Sequence, residues 1–142
     1  MSDLSKLTVP GPTIIALTKP FWDAASNGVL LIQKCRTCNA RVFYPRPICP
    51  HCWADALEWT EVSGKGKLLS FSKIWKPGHV GWLPVTPYFV GIVELVEGPK
   101  MMSHILVDNG VPVVDGELIF KSVNVGGQNL PFFKPQMEKH RK

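Results

Sequence analysis

The chain has 142 residues, 45% of them hydrophobic and 19% charged, with 13 prolines and 12 glycines. That length gives one ordinary domain or two very small ones, and the proline and glycine content excludes an architecture of long helices in favour of turns and short strands. The formal charge of +5 favours an anionic partner (nucleic acid, a phosphorylated cofactor or an acidic protein surface), with part of the excess lying in the terminal KHRK, Lys139 to Lys142.

Residues 1–28 read as an N-terminal arm. MSDLSKLTVPGPTIIALTKP carries no recognisable signal peptide, and no apolar run approaches the about 18 residues of a membrane span. The protein is therefore expected in the cytoplasm, away from membranes. The arm is extended to Pro12 and ends in a short helix over Pro20 to Asn27. Thr18 is its cap, Pro20 fits its first turn, and Asn27-Gly28 stops it. Phe21 and Trp22 are adjacent and cannot share a face. One packs inward; the other is either half-buried against the next segment or offered to a partner. VLLIQ then runs as a strand into Cys35.

Residues 29–57 hold all four cysteines, in CRTCNARVFYPRPICPHC. Two C-x-x-C pairs stand ten residues apart, a length that suits a hairpin folding one knuckle back on the other. In a reducing compartment such a set binds metal rather than forming disulfides, and four converging thiolates suit Zn2+. Cys35, Cys38, Cys49 and Cys52 are assigned to one zinc ribbon. Four sulfurs fill the coordination sphere and leave no position for water or substrate, so the single zinc is structural. Two other readings stand beside it: an iron site that transfers electrons, and a redox C-x-x-C pair. The second is disfavoured because these cysteines do not open a helix in a βαβ unit. His51, inside the second knuckle, is read as an exposed loop residue rather than a ligand. A ribbon this small buries little apolar surface and draws its folding free energy from the metal.

Residues 58–135 read as all-β. LEWTEVS is an imperfectly alternating strand, and GKGKLLSFSKIWK opens on a glycine-framed turn before it alternates. YFVGIVELVEG and KMMSHILVD form a hairpin across Glu97-Gly98-Pro99, with Gly91 marking a bulge or bend. GELIFKSVNV is closed by Gly126-Gly127. LPFFKPQ ends the ordered part, before a basic tail at 136–142. Five strands without a crossover helix fit a five-stranded antiparallel barrel of the OB type, with a small sandwich as the alternative. The expected fold class is mainly β: a short N-terminal helix, a zinc ribbon, then an OB-fold barrel.

FWDAASNGVLLIQKCRTCNARVFYPRPICPHC, followed by LEWTEVSGKGKLLSFS and PYFVGIVELVEG, resembles a family of zinc-ribbon/OB-fold proteins first catalogued as a domain of unknown function and associated with thiolases and acyl-CoA metabolism. The likeness runs from Pro20 to Pro135. Its most specific elements are the Phe21-Trp22 start, the cysteine ribbon with its Y-P-R-P-x-C-P-x-C ending, the Gly64 and Gly66 turn, and Pro87-Tyr88. The resemblance implies a rubredoxin-like ribbon followed by an OB barrel. It also implies a non-catalytic accessory subunit. Such a subunit joins a thiolase-superfamily enzyme, or a related acyl-CoA lyase, aldolase or hydratase, in a hetero-oligomer and helps bind or channel an acyl-CoA.

The residues themselves argue against catalysis by this chain alone. The cysteines are spoken for, and His51, His79, His104 and His140 belong to no recognisable constellation. His79 sits in a long loop, exposed or lining a cleft; His104 is mid-strand and read as packed. Glu94 and Glu97 fall on opposite faces of a straight strand. The GKGK turn lacks the strand-loop-helix setting of a nucleotide loop and is read as a hairpin turn. CoA carries phosphates and an adenine, and a surface that holds it wants cations beside an aromatic or apolar slot. Lys73, Trp75, Lys76 and His79, with Arg41 and Arg46 on the ribbon, are the candidate CoA contacts. Phe21, Trp22 and Trp82 are the candidate partner contacts, Trp22 and Trp82 being expected as exposed apolar surface. A second functional reading makes the chain a single-stranded nucleic-acid binder, with Phe71, Trp75, Tyr88 and Phe89 as a stacking platform. It rests on charge and fold type and is disfavoured.

Overall fold

The first helix forms one residue earlier at each end than its stop and start signals suggest, as α1 (Lys19–Ser26). These positions come from a computed structural model that describes residues 4–107 and 110–136. Pro20 lies in the first turn and Asn27 at the C-cap, and Gly28 takes the left-handed conformation (φ 79°) that ends the helix. Thr18 holds the cap position but does not cap. Its backbone is already helical (φ −97°, ψ −7°), so its hydroxyl turns back and donates to the Ile15 carbonyl at 3.3 Å.

Strand β1 (Leu30–Cys35) is the centre of a three-stranded antiparallel sheet, with β2 (Arg41–Val42) on one edge and β3 (Leu57–Val62) on the other. The β1–β3 register runs from Leu30 opposite Val62 to Cys35 opposite Leu57. LEWTEV is therefore a strand of the ribbon and not of the barrel. The two-residue β2 cannot satisfy the backbone of β1 alone, and β3 pairs with its whole other edge.

The closed barrel is built from β4 (Lys65–Ile74), β5 (Tyr88–Leu95), β6 (Lys100–Ile105), β7 (Glu117–Val125) and β8 (Gln128–Pro135), in the order β4-β5-β6-β8-β7. The OB expectation holds, but its fifth strand is β8, the segment read as a mere end of the ordered region. Gly126 and Gly127, both at positive φ, turn the chain so that β8 pairs with all of β7. Closure onto β6 is parallel, Ile105 opposite Phe133, so the barrel is not wholly antiparallel. Pro131 is tolerated because that closure asks it for no N–H, while its carbonyl accepts from Ser103 Oγ at 3.2 Å.

The irregularity expected at Gly91 lies across from it. Leu68 pairs with Val93 and Ser70 with Ile92, so Leu69 is the extra residue of a bulge in β4. The inward face of β4 thereby switches from Gly66 and Leu68 to Phe71. Gly91 serves close approach: a Cβ there would stand 2.7 Å from Leu68 Cδ1 and 2.8 Å from the Ser70 carbonyl. Gly66 plays the same part, with Val93 Cγ1 and the Glu94 carbonyl at 2.7 and 2.8 Å from a would-be Cβ. Its backbone lies in the ladder, so the GKGK segment does not form a phosphate cradle.

Ribbon and barrel share one core. Phe21 of α1 and Leu30, Ile32 and Val62 of the ribbon sheet pack with Leu68, Phe89, Leu95, Ile105 and Phe133 of the barrel. A second cluster joins Leu4 and Leu7 of the N-terminal arm to Leu106, Val125 and Phe132. The arm is thus not simply extended; it makes a 3₁₀ turn at Leu4–Lys6 and lies on the barrel. No described helix is long and apolar enough to cross a membrane. The terminal KHRK lies outside the described residues.

Candidate functional site

The two knuckles are built alike. In the first, the Asn39 amide donates to the Cys35 carbonyl at 2.9 Å and the Cys35 amide to the Ala40 carbonyl at 2.9 Å. In the second, the Trp53 amide donates to the Cys49 carbonyl at 2.9 Å and the Cys49 amide to the Ala54 carbonyl at 3.1 Å. Asn39 (φ 62°) and Trp53 (φ 67°) take the same left-handed conformation just past the second cysteine of each pair. Asn suits that conformation; Trp does not, and Trp53 is 78% exposed.

This repetition brings four sulfurs together. Cys35 and Cys52 Sγ lie 3.6 Å apart, Cys38 and Cys49 Sγ 3.7 Å apart, and all four within 4.8 Å of one another. A zinc tetrahedron with Zn–S of about 2.3 Å has edges of about 3.8 Å, so the set is already at ligand spacing. The thiols alone are poorly matched to that crowding. The Cys38 amide beside Cys35 pulls its thiol down to about 7. At Cys52 the Ala54 amide pulls the same way, but burial and the neighbouring thiols outweigh it and push the thiol up to about 12. Four thiolates can share this volume only around a cation, and the donor set fits one zinc whose coordination is complete. His51 is exposed and stands outside the set; its amide, not its ring, approaches Cys49 Sγ at 3.4 Å.

One residue that positions the centre escapes sequence reasoning. Gln33 is buried, and its side-chain amide donates to the Arg46 carbonyl at 3.0 Å while accepting from the Arg46 amide at 2.7 Å. It thereby pins the segment between the knuckles to β1. The available signal was a polar residue ending the apolar run VLLIQ.

The candidate CoA contacts fall into two clefts. Arg41 and Arg46 line one of about 590 Å³ between the ribbon and the β5–β6 turn, joined there by His51, Lys100 and Glu97. Arg41 also reaches the Glu97 carbonyl at 3.4 Å, while Glu97 Oε2 accepts from the Ser63 amide at 2.9 Å and Oε1 is buried without a partner. Glu94 instead faces Lys100 at 3.8 Å, so the two carboxylates do not form a pair. Lys73 lines the other cleft, of about 380 Å³, with Tyr88, Phe89 and His104. Trp75 stands beside it, 66% exposed, with Lys73 Nζ 4.5 Å above its ring. Lys76 is exposed. His79 lines neither cleft; its Nδ1 accepts from the Gly81 amide at 2.9 Å and caps the 3₁₀ segment Val80–Val85.

The candidate partner contacts are less open than their sequence suggests. Phe21 is 1% exposed and belongs to the core, so it offers a partner no surface. Trp22 is half-buried against the ribbon, its indole donating to the Tyr44 hydroxyl at 3.1 Å. Trp82 is half-buried with the N-terminal arm. The stacking platform of the nucleic-acid reading does not assemble either, because Phe71 and Phe89 meet edge to face at 5.7 Å in the barrel core.

His104 is packed as expected, though on the outer face of β6. It stacks between Phe132, at 4.4 Å, and Tyr88, at 4.9 Å. Burial lowers its pKa from 6.5 to about 4. The unfolded chain therefore binds a proton between these values that the native state refuses. The contribution is complete above pH 6.5 and is lost as pH falls to about 4, a drop of at most about 3 kcal/mol. His104→Phe keeps a ring in the stack, and is expected to flatten the fall in melting temperature over that range.

A closed four-cysteine ribbon sharing its core with a five-stranded barrel defines a zinc-ribbon/OB-fold protein. The chain belongs to the DUF35 family: residues 22–58 match the model described as ChsH2, rubredoxin-like zinc ribbon domain, and residues 59–117 that described as ChsH2, C-terminal OB-fold domain. It is 37% identical over 102 residues to a DUF35 domain-containing scaffold protein of Methanothermobacter thermautotrophicus, covering 68% of this chain and 75% of that one. It is 27% identical over 108 residues to the benzoylsuccinyl-CoA thiolase subunit BbsA of Geobacter metallireducens, covering 75% and 71%. A protein of Thermomonospora curvata named "Probable enoyl-CoA hydratase alpha subunit" is 33% identical over 128 residues, 81% of this chain; the chain spans only 36% of that longer protein. Among solved structures, a chain of the "Ltp2-ChsH2(DUF35) aldolase" superposes with a TM-score of 0.77 at 26% identity, over 88% of this chain and 98% of that one.

Proposed function

We propose that this chain is a non-catalytic accessory subunit that binds a thiolase-superfamily enzyme, or a related acyl-CoA lyase or hydratase, and helps hold an acyl-CoA at the shared site. The observation that carries the reading is the likeness along both ribbon and barrel to proteins named as a thiolase subunit and an aldolase. The chemistry of the chain agrees with it. Its cysteines complete a zinc shell, His79 is used as a cap and His104 is locked in a ring stack. Co-expression with a thiolase-like enzyme tests the reading: the two are expected to co-purify, and the enzyme to lose activity or stability when this chain is left out. An enzyme fully active and stable alone would overturn it.

Of the two clefts, the one between ribbon and hairpin is the better phosphate site, because Arg41, Arg46, Lys100 and His51 converge on it. The other holds Lys73 among apolar and aromatic walls and suits a thinner, less charged part of the ligand. Each lost charge-assisted contact weakens binding by about 1.5–3 kcal/mol. The Arg41→Glu/Arg46→Glu variant of the assembled complex is therefore expected to raise KM for acyl-CoA tenfold or more with kcat nearly unchanged. An unchanged KM would remove these arginines from the site.

A further inference from the structure

The inner face of the barrel breaks its apolar pattern at one mouth. Beyond the bulge at Leu69, Phe71 packs against the core, and Lys73 follows it on the same face of β4. Lys73 stands opposite Phe89, and Phe89 opposite Ile105, so one row across β4, β5 and β6 reads cation, phenyl ring, aliphatic chain. Phe89 and Ile105 are buried members of the shared core. A strand position in line with them calls for an apolar side chain, and such a break in pattern is where a site is to be sought.

The fold makes no polar use of this lysine. Its Nζ lies 4.5 Å from the ring centre of Trp75 and 5.8 Å from that of Phe89, so the two rings hold the charge at the mouth. The ion pairs of the described residues, Lys19–Asp23, Arg36–Glu58 and Lys100–Glu94, all lie elsewhere, and Lys73 donates to no described oxygen. The cleft of about 380 Å³ that it lines falls within the range of small-ligand pockets, and barrel mouths are a common place for them. Phe89, Ile105, Leu106 and Val107 give it an apolar wall, and no acidic side chain among the described residues lines it. Tyr88 and His104 line it too, and their ring stack runs on from Tyr88 to Trp82 at 5.5 Å.

We propose that this mouth binds a small carboxylate with an apolar body, the carboxylate on Lys73 and the body against Phe89, Ile105 and Val107. One cation beside an apolar wall complements one negative charge, whereas a phosphate monoester carries about −1.5 to −2 and is better matched by the several cations of the ribbon cleft. Two sources share the chemistry: a free carboxylic acid, and a carboxylate carried on the acyl group of a CoA thioester. The second source rests on the accessory-subunit reading; the first does not.

The test titrates two matched pairs of probes into the zinc-loaded chain and follows backbone amide chemical shifts. Hexanoate against hexanamide reports the free acid; adipoyl-CoA against hexanoyl-CoA reports a carboxylate on the thioester. In at least one pair the charged member is expected to bind tenfold or more tightly than the neutral one, with saturable shifts at Lys73, Phe89 and Val107. The pair that shows the preference identifies the source. Lys73→Met keeps the stem and removes the cation at an exposed position, so it is expected to fold as the parent and abolish the preference; Lys73→Arg is expected to keep it. No partner enzyme enters the measurement, so a hexanoate preference stands even if co-expression shows no complex. Equal binding within both pairs, shifts confined to residues away from the mouth, or a preference that survives Lys73→Met would overturn the proposal.

Discussion

Replacing Cys49 by serine is expected to strip the protein of its zinc and, with it, of its cooperative melting transition. Cys49 is fully buried, its sulfur stands 3.7 Å from that of Cys38 and it accepts from the His51 amide. A serine oxygen is a shorter and harder ligand that neither reaches the same point nor ionises at neutral pH. A structural zinc contributes about 10–16 kcal/mol of apparent binding free energy, as much as the about 5–15 kcal/mol that holds a typical domain together. The loss is not confined to the ribbon, because Leu30, Ile32 and Val62 lie in the same core as the barrel residues. Metal analysis is expected to find less than about one-tenth of an equivalent of zinc, and circular dichroism a melting point lowered by about 20 °C or no transition at all. Acid acts in the same direction, since protons compete with the metal for the four thiolates. A Cys49→Ser protein that keeps a full equivalent of zinc and melts like the parent would remove the metal from the account of this fold.

Fold class and metal site were largely legible in the sequence, because both depend on local pattern. Knuckle spacing fixes where two sulfurs point, and the runs around Leu68 and Val93 alternate strongly enough to declare strands. Pairing choices made over long distances were not legible. LEWTEV reads equally well as a first barrel strand or a third ribbon strand; only the unpaired edge of β1 decides it. NLPFFKP lacks alternation and contains two prolines, yet it closes the barrel, since β7 supplies its partner and the β6 side makes few demands. Residue type advertises a bulge at Gly91, but the bulge lies at Leu69, where only the register reveals it. Side-chain chemistry alone marks Arg41, Arg46 and Lys73 as CoA contacts and says nothing of distance; the fold sends the arginines to one cleft and Lys73 to another. The aromatic column of Trp82, Tyr88, His104 and Phe132 was invisible for the converse reason. Its members come from a loop and three strands and meet only when the barrel closes.

Phe21→Ala is expected to cost about 3–5 kcal/mol and, more tellingly, to split one unfolding transition into two. The ring lies 4.8 Å from that of Trp22, 5.5 Å from Phe43 and 5.7 Å from Tyr44, which ties α1 to the segment between the knuckles. The same side chain belongs to the cluster that continues through Leu30 and Ile32 into Leu68, Leu95 and Phe133 of the barrel. Truncation therefore opens a cavity where three parts of the chain meet, and those neighbours, each fixed in its own sheet or helix, cannot collapse to fill it. Trp22→Ala is the control. That side chain is half-buried and gives up one hydrogen bond to Tyr44, so its loss is expected to cost about 1–2 kcal/mol and leave cooperativity intact. Urea titrations followed in parallel by zinc release, reporting the ribbon, and by far-ultraviolet circular dichroism, dominated by the barrel, distinguish the outcomes. In the parent the two midpoints are expected to coincide, because ribbon and barrel residues bury their inner faces in one shared cluster. In Phe21→Ala the zinc is expected to leave at lower urea than the barrel unfolds. Coincident midpoints with a shift below about 1 kcal/mol would mean that the ribbon–barrel union rests on β3 and its neighbours rather than on this ring.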